Sequence, residues 1–175
     1  AKGDKEGCLL TSLNYLNWKH GTSKSFREPF RVKKGGTYMT FDPYETGLDA
    51  LKTEYKSLDL CAEVYLAQAN NAIGKEQETV ALQLCDEAIR LYPGYRRINA
   101  LKNLREDILA PSLNVTAAAT AFPGEEIEIR ASHKNLDGFT LRLYQAKKMI
   151  KEQHFAVLRP KDYRTQDTVF TFKAP

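Results

Sequence analysis

The spacing of apolar residues changes at Pro111, and this change constrains the fold more than any other feature of the chain. Before Pro111, apolar side chains recur three or four positions apart, which is the spacing of an amphipathic helix. After it, apolar and polar residues alternate in short runs such as 126–130, as expected for strands with one buried face. The sequence therefore predicts an α+β chain, with a helical domain over 1–110 and a β domain over 111–175.

Two helices and a long connection are predicted in the first third of the chain. The first helix carries an apolar stripe that ends at Gly21. The stripe consists of Leu9, Leu10, Leu13, Tyr15, Leu16 and Trp18. Regular structure is predicted to resume near Tyr44, where Leu48, Leu51, Tyr55 and Leu58 lie three or four positions apart, as in a second helix. The segment 22–42 between them is predicted to be a polar loop that either packs on the helices or carries function.

The segment 62–95 has the spacing of a tetratricopeptide repeat, a unit of about 34 residues with fixed small, aromatic and proline positions. With Pro93 at the closing proline, Tyr65 falls on an aromatic position. Three alanines fall on the small positions, where they would let two antiparallel helices approach closely: Ala69, Ala81 and Ala88. Three residues depart from the pattern: Gln68, Ala72 and Cys85. A further helix over 95–109 is predicted to cap the helices, because one repeat cannot bury its own apolar face.

Five short strands are predicted after Pro111, separated by turns at 122–124 and 135–138. They cover the segments 112–116, 126–130, 139–143, 155–158 and 168–172. Such a series is typical of an antiparallel, immunoglobulin-like β-sandwich, which has about seven strands in roughly 100 residues. The segment 111–175 is shorter, so we expect an incomplete sandwich. A first residue other than Met and an alternating pattern close to Pro175 lead us to expect a piece of a longer protein.

Charge and hydropathy exclude two classes of function. The chain has 26 basic and 22 acidic residues, a net charge of +4, and its adjacent basic pairs lie in different parts of the sequence. Nucleic-acid-binding proteins gather positive charge on one face, so no nucleic-acid partner is predicted. No apolar run approaches the roughly 20 residues that span a bilayer, so any membrane attachment is expected through an anchor outside these residues.

No catalytic, cofactor-binding or metal-ligating residue is predicted, and the chain is not expected to be an enzyme. His20, His133 and His154 lack the short spacing of zinc ligands, and each is expected to have a structural or surface role. Cys61 and Cys85 fall on the two helices of the repeat and could approach each other, although buried free thiols are the favoured interpretation. The remaining candidates are also given structural interpretations. They are Cys8, the turn at Gly35-Gly36, and the triplet Asn114-Val115-Thr116 within a predicted strand.

Several segments resemble the N-terminal region of bacterial alpha-2-macroglobulin-like proteins of the Bacteroides type. They are Leu58-Asp59-Leu60-Cys61-Ala62-Glu63-Val64-Tyr65, Glu87-Ala88-Ile89-Arg90-Leu91-Tyr92-Pro93, Ala110-Pro111-Ser112-Leu113, Phe122-Pro123-Gly124-Glu125 and Lys134-Asn135-Leu136. The resemblance runs from about residue 41 onward, and it depends on the order of these segments. It implies a large envelope protein, periplasmic or anchored to the outer membrane as a lipoprotein, that inhibits proteases by trapping them.

The resemblance also implies that the strands after Pro111 begin the first macroglobulin-type sandwich. Many members of the family carry a thioester in a Cys-x-Glu-Gln motif. The runs that start at Cys61 and Cys85 lack the Gln, so no thioester residue is assigned. The leading hypothesis is a non-catalytic segment that supports or docks the rest of such an inhibitor, with proteins as partners: the parent chain, proteases or envelope proteins. The alternative is a stand-alone periplasmic tetratricopeptide scaffold for protein–protein interaction.

Overall fold

The computed structural model describes residues 3–117, 122, 124–145 and 147–173. These residues form six α-helices and antiparallel β-sheets, which confirms the α+β class. The chain divides into two compact units, residues 1–105 and 106–175. The predicted boundary after Ala110 follows the end of the sixth helix, whereas the division after Arg105 lies inside that helix.

The first helix, α1 (Lys5–Thr22), begins where the Asp4 carboxylate accepts a hydrogen bond from the Gly7 N–H. Only part of its predicted apolar stripe is buried. Leu9 and Leu13 are buried, whereas Trp18 is 61% exposed. Leu10 and Tyr15 are also exposed, so the residues of the predicted stripe lie on a helix but are only partly covered. Residues four apart share a helix face, and the buried pair Leu9 and Leu13 marks the side of α1 that enters the core.

The segment predicted to be a loop over 22–42 contains regular structure, so that prediction was wrong. A short helix, α2 (Lys24–Arg27), precedes two antiparallel strands, β1 (Phe30–Lys34) and β2 (Thr37–Phe41). Gly35 and Gly36 connect the strands with φ values of +57° and +87°. Two positive φ values in a two-residue connection define the turn that matches the twist of paired strands, and glycine adopts them without steric cost.

Four longer helices follow β2, and the last of them extends past the division between the two units. They are α3 (Pro43–Glu54), α4 (Ala62–Gly74), α5 (Glu78–Leu91) and α6 (Ile98–Leu109), and a 3-10 turn (Asp59–Cys61) precedes α4. The N-terminal residue of α3 is Pro43, and the Asp42 side chain caps the helix by accepting a hydrogen bond from the Glu45 N–H. Proline at the first helical position and Asp at the cap both favour a helix start at this point.

Helices α4 and α5 form an antiparallel pair in close contact. Ala69, Ala81 and Ala88 are fully buried, and the Tyr65 ring lies edge-on to Tyr92 with centroids 5.9 Å apart. Gln68, which departs from the repeat pattern, is also buried, and its amide donates a hydrogen bond of 2.7 Å to Asp49 of α3. Side chains without γ atoms allow the backbones to approach, so the small residues have the steric role that the sequence predicted.

The second unit contains five antiparallel strands. They are β3 (Ser112–Ala117), β4 (Glu126–Lys134), β5 (Gly138–Gln145), β6 (Lys148–Ala156) and β7 (Gln166–Lys173). One sheet has the order β3-β4-β7, and the other pairs β5 with β6. The predicted strand at 155–158 was misplaced, since β6 begins at Lys148 and ends at Ala156. The predicted turn at 122–124 includes Pro123, which lies outside the described residues.

One apolar core lies between these two sheets. Its buried members are Ile129, Ala131, Phe139, Phe155 and Phe172. The Phe170 ring of β7 contacts Phe139 and Phe155 of the other sheet, with centroid distances of 5.4 and 4.9 Å. The turn between β4 and β5 occurs where it was predicted, and Asn135 there adopts a φ of +55°. None of the helices in the described part of the chain is long and apolar enough to cross a membrane.

Candidate protein-interaction surface

The β1–β2 hairpin has two chemically different faces. In its register Phe30 pairs with Phe41 and Val32 with Met39, and directly paired residues point to the same side of a sheet. These four residues form the apolar face. Arg31 pairs with Thr40 and Lys33 with Tyr38, and these four form the basic face. The strand period of two therefore places Arg31 and Lys33 opposite the apolar face, whereas Lys34 and Thr37, beside the turn, lie on the same side as that face.

The apolar face is open to solvent. All ten residues of β1 and β2 are exposed, and Met39 of the apolar face is 58% exposed. The Phe30 and Phe41 rings contact each other with centroids 5.2 Å apart, so they cover each other only partly. A two-stranded hairpin is marginally stable in water unless its apolar side packs on something. An exposed apolar patch of this kind is typical of a binding surface.

The basic face carries uncompensated positive charge within the hairpin. Segment 30–41 contains Arg31, Lys33 and Lys34 and no acidic residue. The Lys33 ammonium lies 5.8 Å from the centre of the Tyr38 ring, a cation–π arrangement across the two strands. Lysine and arginine on an edge strand also discourage pairing between identical strands, because like charges would meet.

A polar cleft of about 560 Å³ lies in the same unit, between α1, α3 and α4. The Tyr44 hydroxyl donates a hydrogen bond of 2.6 Å to Asn17, and the His20 ring stacks on Tyr44 with centroids 4.1 Å apart. Burial and the nearby Asp42 charge raise the pKa of Tyr44, which keeps its hydroxyl protonated and able to donate. Asn70 and other amide side chains line the remaining wall, so the cleft suits polar groups.

An ion-pair cluster fixes the start of α3 beside this cleft. The Lys75 ammonium lies 2.6 Å from an Asp42 oxygen and 2.9 Å from a Glu45 oxygen. Burial alone would raise the pKa of Asp42, but hydrogen bonds from Glu45 and Lys75 outweigh it and lower the pKa below its usual value. Burial alone would lower the pKa of Lys75, and the two carboxylates raise it instead. Lys75 is therefore a structural cation that ties α4 to α3.

The three histidines lie in separate environments. His20 belongs to the polar cleft, and the His154 Nδ1 lies 3.2 Å from the Thr140 hydroxyl on β5. His133 is buried in the second unit, with its Nε2 3.0 Å from the Thr168 hydroxyl. Among the residues that the structure describes, no group of three or more His, Cys, Asp or Glu could hold a metal ion.

The cysteines are free thiols, and Cys61 and Cys85 are buried as predicted. Cys61 lies in the 3-10 turn ahead of α4, so its predicted position on the helix was wrong by a short distance. Burial raises the pKa of Cys61, and it raises the pKa of Cys85 to about 11. A protonated thiol is a poor nucleophile, so both are packing residues. Cys8 is exposed, and Asn114 lies on β3 as predicted.

Sequence reasoning missed the hairpin, although a signal for it was present. A Gly-Gly pair flanked by two runs of alternating side chains is a recognised hairpin pattern. The sequence predicts only a turn within a polar loop, because Lys34 and Tyr38 interrupt the alternation of apolar and polar residues on the two sides of the glycines. The division of the hairpin's side chains between two faces depends on the register, which follows from the two-residue connection at Gly35-Gly36.

Comparisons of the chain with protein-family models, curated proteins and solved structures gave no match. The resemblance to alpha-2-macroglobulin-like proteins therefore stays a prediction from the sequence. The tetratricopeptide-like and immunoglobulin-like descriptions of the two units also stay predictions. The function has to be inferred from the surfaces that the two units present.

Proposed function

We propose that the chain is a non-catalytic N-terminal segment of a large alpha-2-macroglobulin-like protease inhibitor of the cell envelope, and that it docks or supports other protein parts. In this proposal the helices are tetratricopeptide-like, and the strands begin a macroglobulin-type β-sandwich. The partners are proteins: the rest of the parent chain, proteases or envelope proteins. The protein is periplasmic or anchored to the outer membrane as a lipoprotein, and any attachment to the membrane is through an anchor outside these residues.

The exposed apolar face of the hairpin is the observation that carries the docking role. Burying an aliphatic or aromatic side chain completely is worth about 1.5–3 kcal/mol. Phe30, Val32, Met39 and Phe41 are each between 38% and 58% exposed, so a partner that covers them would gain roughly 1 kcal/mol for each. Phe and Met are among the residues enriched in protein interfaces, which supports a contact with protein at this face.

The packing of α4 against α5 supports the tetratricopeptide-like part of the proposal. The three alanines at the small positions are fully buried, and the Tyr65 ring fills the space beside Tyr92. Pro93 follows α5 directly after Tyr92, where the repeat pattern has its closing proline. These features follow the residue pattern of the repeat as well as its helical content.

The open side of the β core supports an incomplete sandwich. Leu113 and Val115 of β3 pair with His133 and Ala131, which face the core. They are nevertheless 42% and 36% exposed, because a three-stranded sheet faces a sheet of only two strands. A further strand beside the two-stranded sheet would cover them, as the inner faces of a sandwich require.

Site-specific photo-crosslinking in the full-length protein tests the docking role. A photo-reactive amino acid replaces Met39 on the apolar face, and a matched variant carries it at Thr40 on the basic face. Both positions lie on β2 and are exposed, so they differ mainly in the face that they report. The docking role predicts a defined protein crosslink from position 39 and a weaker one from position 40. Equal, diffuse crosslinking from both positions would contradict it.

The same experiment separates the two candidate functions. An intramolecular crosslink from position 39 to a later part of the parent chain supports the inhibitor segment. A crosslink to a different envelope protein supports the alternative, a periplasmic scaffold that recruits partners through its helical unit. Reading the gene on both sides of this segment provides an independent check, because the inhibitor requires many further sandwich domains. A short reading frame would exclude the inhibitor and leave the scaffold.

A further inference from the structure

The free edge of β1 has unpaired backbone groups, positive side chains on one face and apolar side chains on the other. Together these features determine which partner fits the edge. The described hairpin has only two strands, so β1 has one unpaired edge, which offers backbone N–H and C=O groups. In a two-residue turn Lys34 and Thr37 form the hydrogen-bonded pair, so the backbone groups of Arg31 and Lys33 are expected to point away from β2. The same two residues carry the positive side chains of the basic face.

A second copy of this chain is a poor occupant of this edge. An antiparallel β1–β1 pair would bring Arg31 and Lys33 of one copy beside the same residues of the other. No acidic residue in segment 30–41 could compensate for this repulsion. Like charges directly opposite each other destabilise a strand pair. The edge therefore selects against self-pairing.

A nucleic acid is also disfavoured by the geometry. Proteins that bind single strands place aromatic side chains and basic side chains along one groove, so that bases stack while phosphates are neutralised. In the hairpin, Phe30 and Phe41 lie on the apolar face, and Tyr38 is the one aromatic residue beside Arg31 and Lys33 on the basic face. A single strand along the basic face could therefore stack on one ring, whereas such proteins use a series of stacking side chains.

We propose that the free edge of β1 binds an extended protein segment in which acidic and apolar residues alternate. The segment would pair as a third strand of the hairpin, with acidic side chains beside Arg31 and Lys33 and apolar side chains beside Phe30 and Val32. This proposal rests on the docking role proposed above, and it names the chemical class of the partner.

Each part of the proposed complex between β1 and the added strand is complementary to a feature of the hairpin. The added strand satisfies the outward backbone groups of β1, and main-chain pairing of this kind supplies affinity in strand addition. Its apolar residues widen the apolar face and cover Phe30 and Val32. Its acidic residues neutralise the basic face, where Lys33 has only the Tyr38 ring as an attractive neighbour within the hairpin. A three-stranded sheet with one apolar face is also more stable than two strands alone.

Binding of a designed peptide to the full chain tests the proposal. The probe is a short, end-blocked peptide that alternates Glu and Val, and the control peptide alternates Lys and Val. Titration followed by amide NMR shifts reports both affinity and location. The proposal predicts saturable shifts at β1 with the Glu-Val peptide, and binding at least about tenfold weaker with the Lys-Val peptide. Added salt should weaken the former interaction, because the pairs are exposed.

A charge-reversal variant makes the test independent of folding defects. Arg31→Glu combined with Lys33→Glu should reverse the preference, so that the Lys-Val peptide binds and the Glu-Val peptide does not. A hairpin that had merely unfolded would bind neither. The matched control is Lys56→Glu combined with Lys102→Glu, which changes the net charge equally at exposed positions outside the hairpin. The control should keep the original preference.

Other results would overturn the proposal. Equal affinity for both peptides, or an unchanged preference in the charge-reversal variant, would show that the basic face does not select the partner. Binding of a single-stranded oligonucleotide, or of vesicles with anionic lipids, in preference to the Glu-Val peptide would assign the hairpin to another class of ligand. If the peptide fails while crosslinking from position 39 still finds a protein, the acidic strand is refuted and the docking role stands.

Discussion

Replacement of Asn135 by Ala is expected to destabilise the second unit substantially. Asn135 is buried, and its amide donates hydrogen bonds of 2.9 Å to the Ile108 carbonyl and 3.2 Å to the Ala110 carbonyl. The last carbonyls of a helix have no partner within the helix, so these bonds satisfy groups at the end of α6. Asn135 also has a φ of +55°, in the left-handed region that Asn tolerates better than Ala.

The expected loss follows from these two contributions. Each hydrogen bond contributes about 0.5–1.5 kcal/mol net to stability, and a buried carbonyl left unpaired adds to the loss. An Ala residue in the left-handed region costs roughly 1–2 kcal/mol. Asn135→Ala should therefore lower the free energy of unfolding by about 2–5 kcal/mol. Asn135→Gly loses the same hydrogen bonds but tolerates the positive φ, so it should be less destabilising by about 1 kcal/mol.

The assay must report on the second unit itself, because a chain with two units need not unfold in one step. We would follow urea unfolding through the amide signals of β4 and β5 in both variants. Asn114→Ala is the control, since Asn114 is exposed on β3, and it should stay within about 0.5 kcal/mol of the unmodified protein. An Asn135→Ala variant as stable as this control would refute the hydrogen-bond argument. Equal losses for Ala and Gly would refute the backbone argument.

Three further predictions concern the first unit. Ala88→Leu should destabilise it by about 1–3 kcal/mol in thermal unfolding, because the fully buried site between α4 and α5 has no room for a larger side chain. Lys75→Met should cost about 1 kcal/mol at neutral pH. The pKa of Asp42 is lowered in the fold, so its ion pair with Lys75 loses its stabilising effect as the pH falls below about 3.8. The difference in free energy of unfolding between Lys75→Met and the unmodified protein should therefore vanish once Asp42 is protonated. In thiol alkylation of the native protein, Cys8 should react readily and Cys85, whose pKa is about 11, only after unfolding.

Each of these predictions has a control or a result that contradicts it. Val80→Leu on the exposed side of α5 should be nearly neutral, and a loss equal to that of Ala88→Leu would show that the close helix contact is not the cause. If Lys75→Met remains less stable than the unmodified protein in acid, the ion pair with Asp42 is not the cause of the lost stability. Alkylation of Cys85 at the rate of Cys8 would show that the core of the helix pair opens freely.

The elements with the strongest period could be predicted from the sequence. Helix α3 begins next to its predicted start near Tyr44, and α4, α5 and α6 lie within the segments 62–95 and 95–109 that were predicted to be helical. The strands with clear alternation were also placed well. β6 was misplaced because Lys148 to Gln153 does not alternate: Met149 and Ile150 are adjacent and three polar residues follow them. When a strand forms mainly because it pairs with a neighbouring strand, its own residues show little strand pattern in the sequence.

The candidate surface could be predicted only in part. The Gly35-Gly36 pair marks a turn from sequence alone, but the two faces of the hairpin follow from its register. Tyr15 and Trp18 show that helical spacing does not predict burial, since both belong to the predicted apolar stripe of α1 and are exposed to solvent. Periodicity gives the face that a residue shares with its neighbours, and it does not say whether another element covers that face.

The sequence by itself determined the α+β class, the change from helix to strand at Pro111 and the small residues between α4 and α5. These are local properties, set by backbone preference, steric size and period within a few residues. Only the tertiary structure decided which apolar faces are covered. Leu9 and Leu13 are buried in the core of the first unit, whereas the hairpin's apolar face is exposed to solvent. Burial depends on contacts between residues far apart in the chain, and those contacts exist only after the elements have packed together.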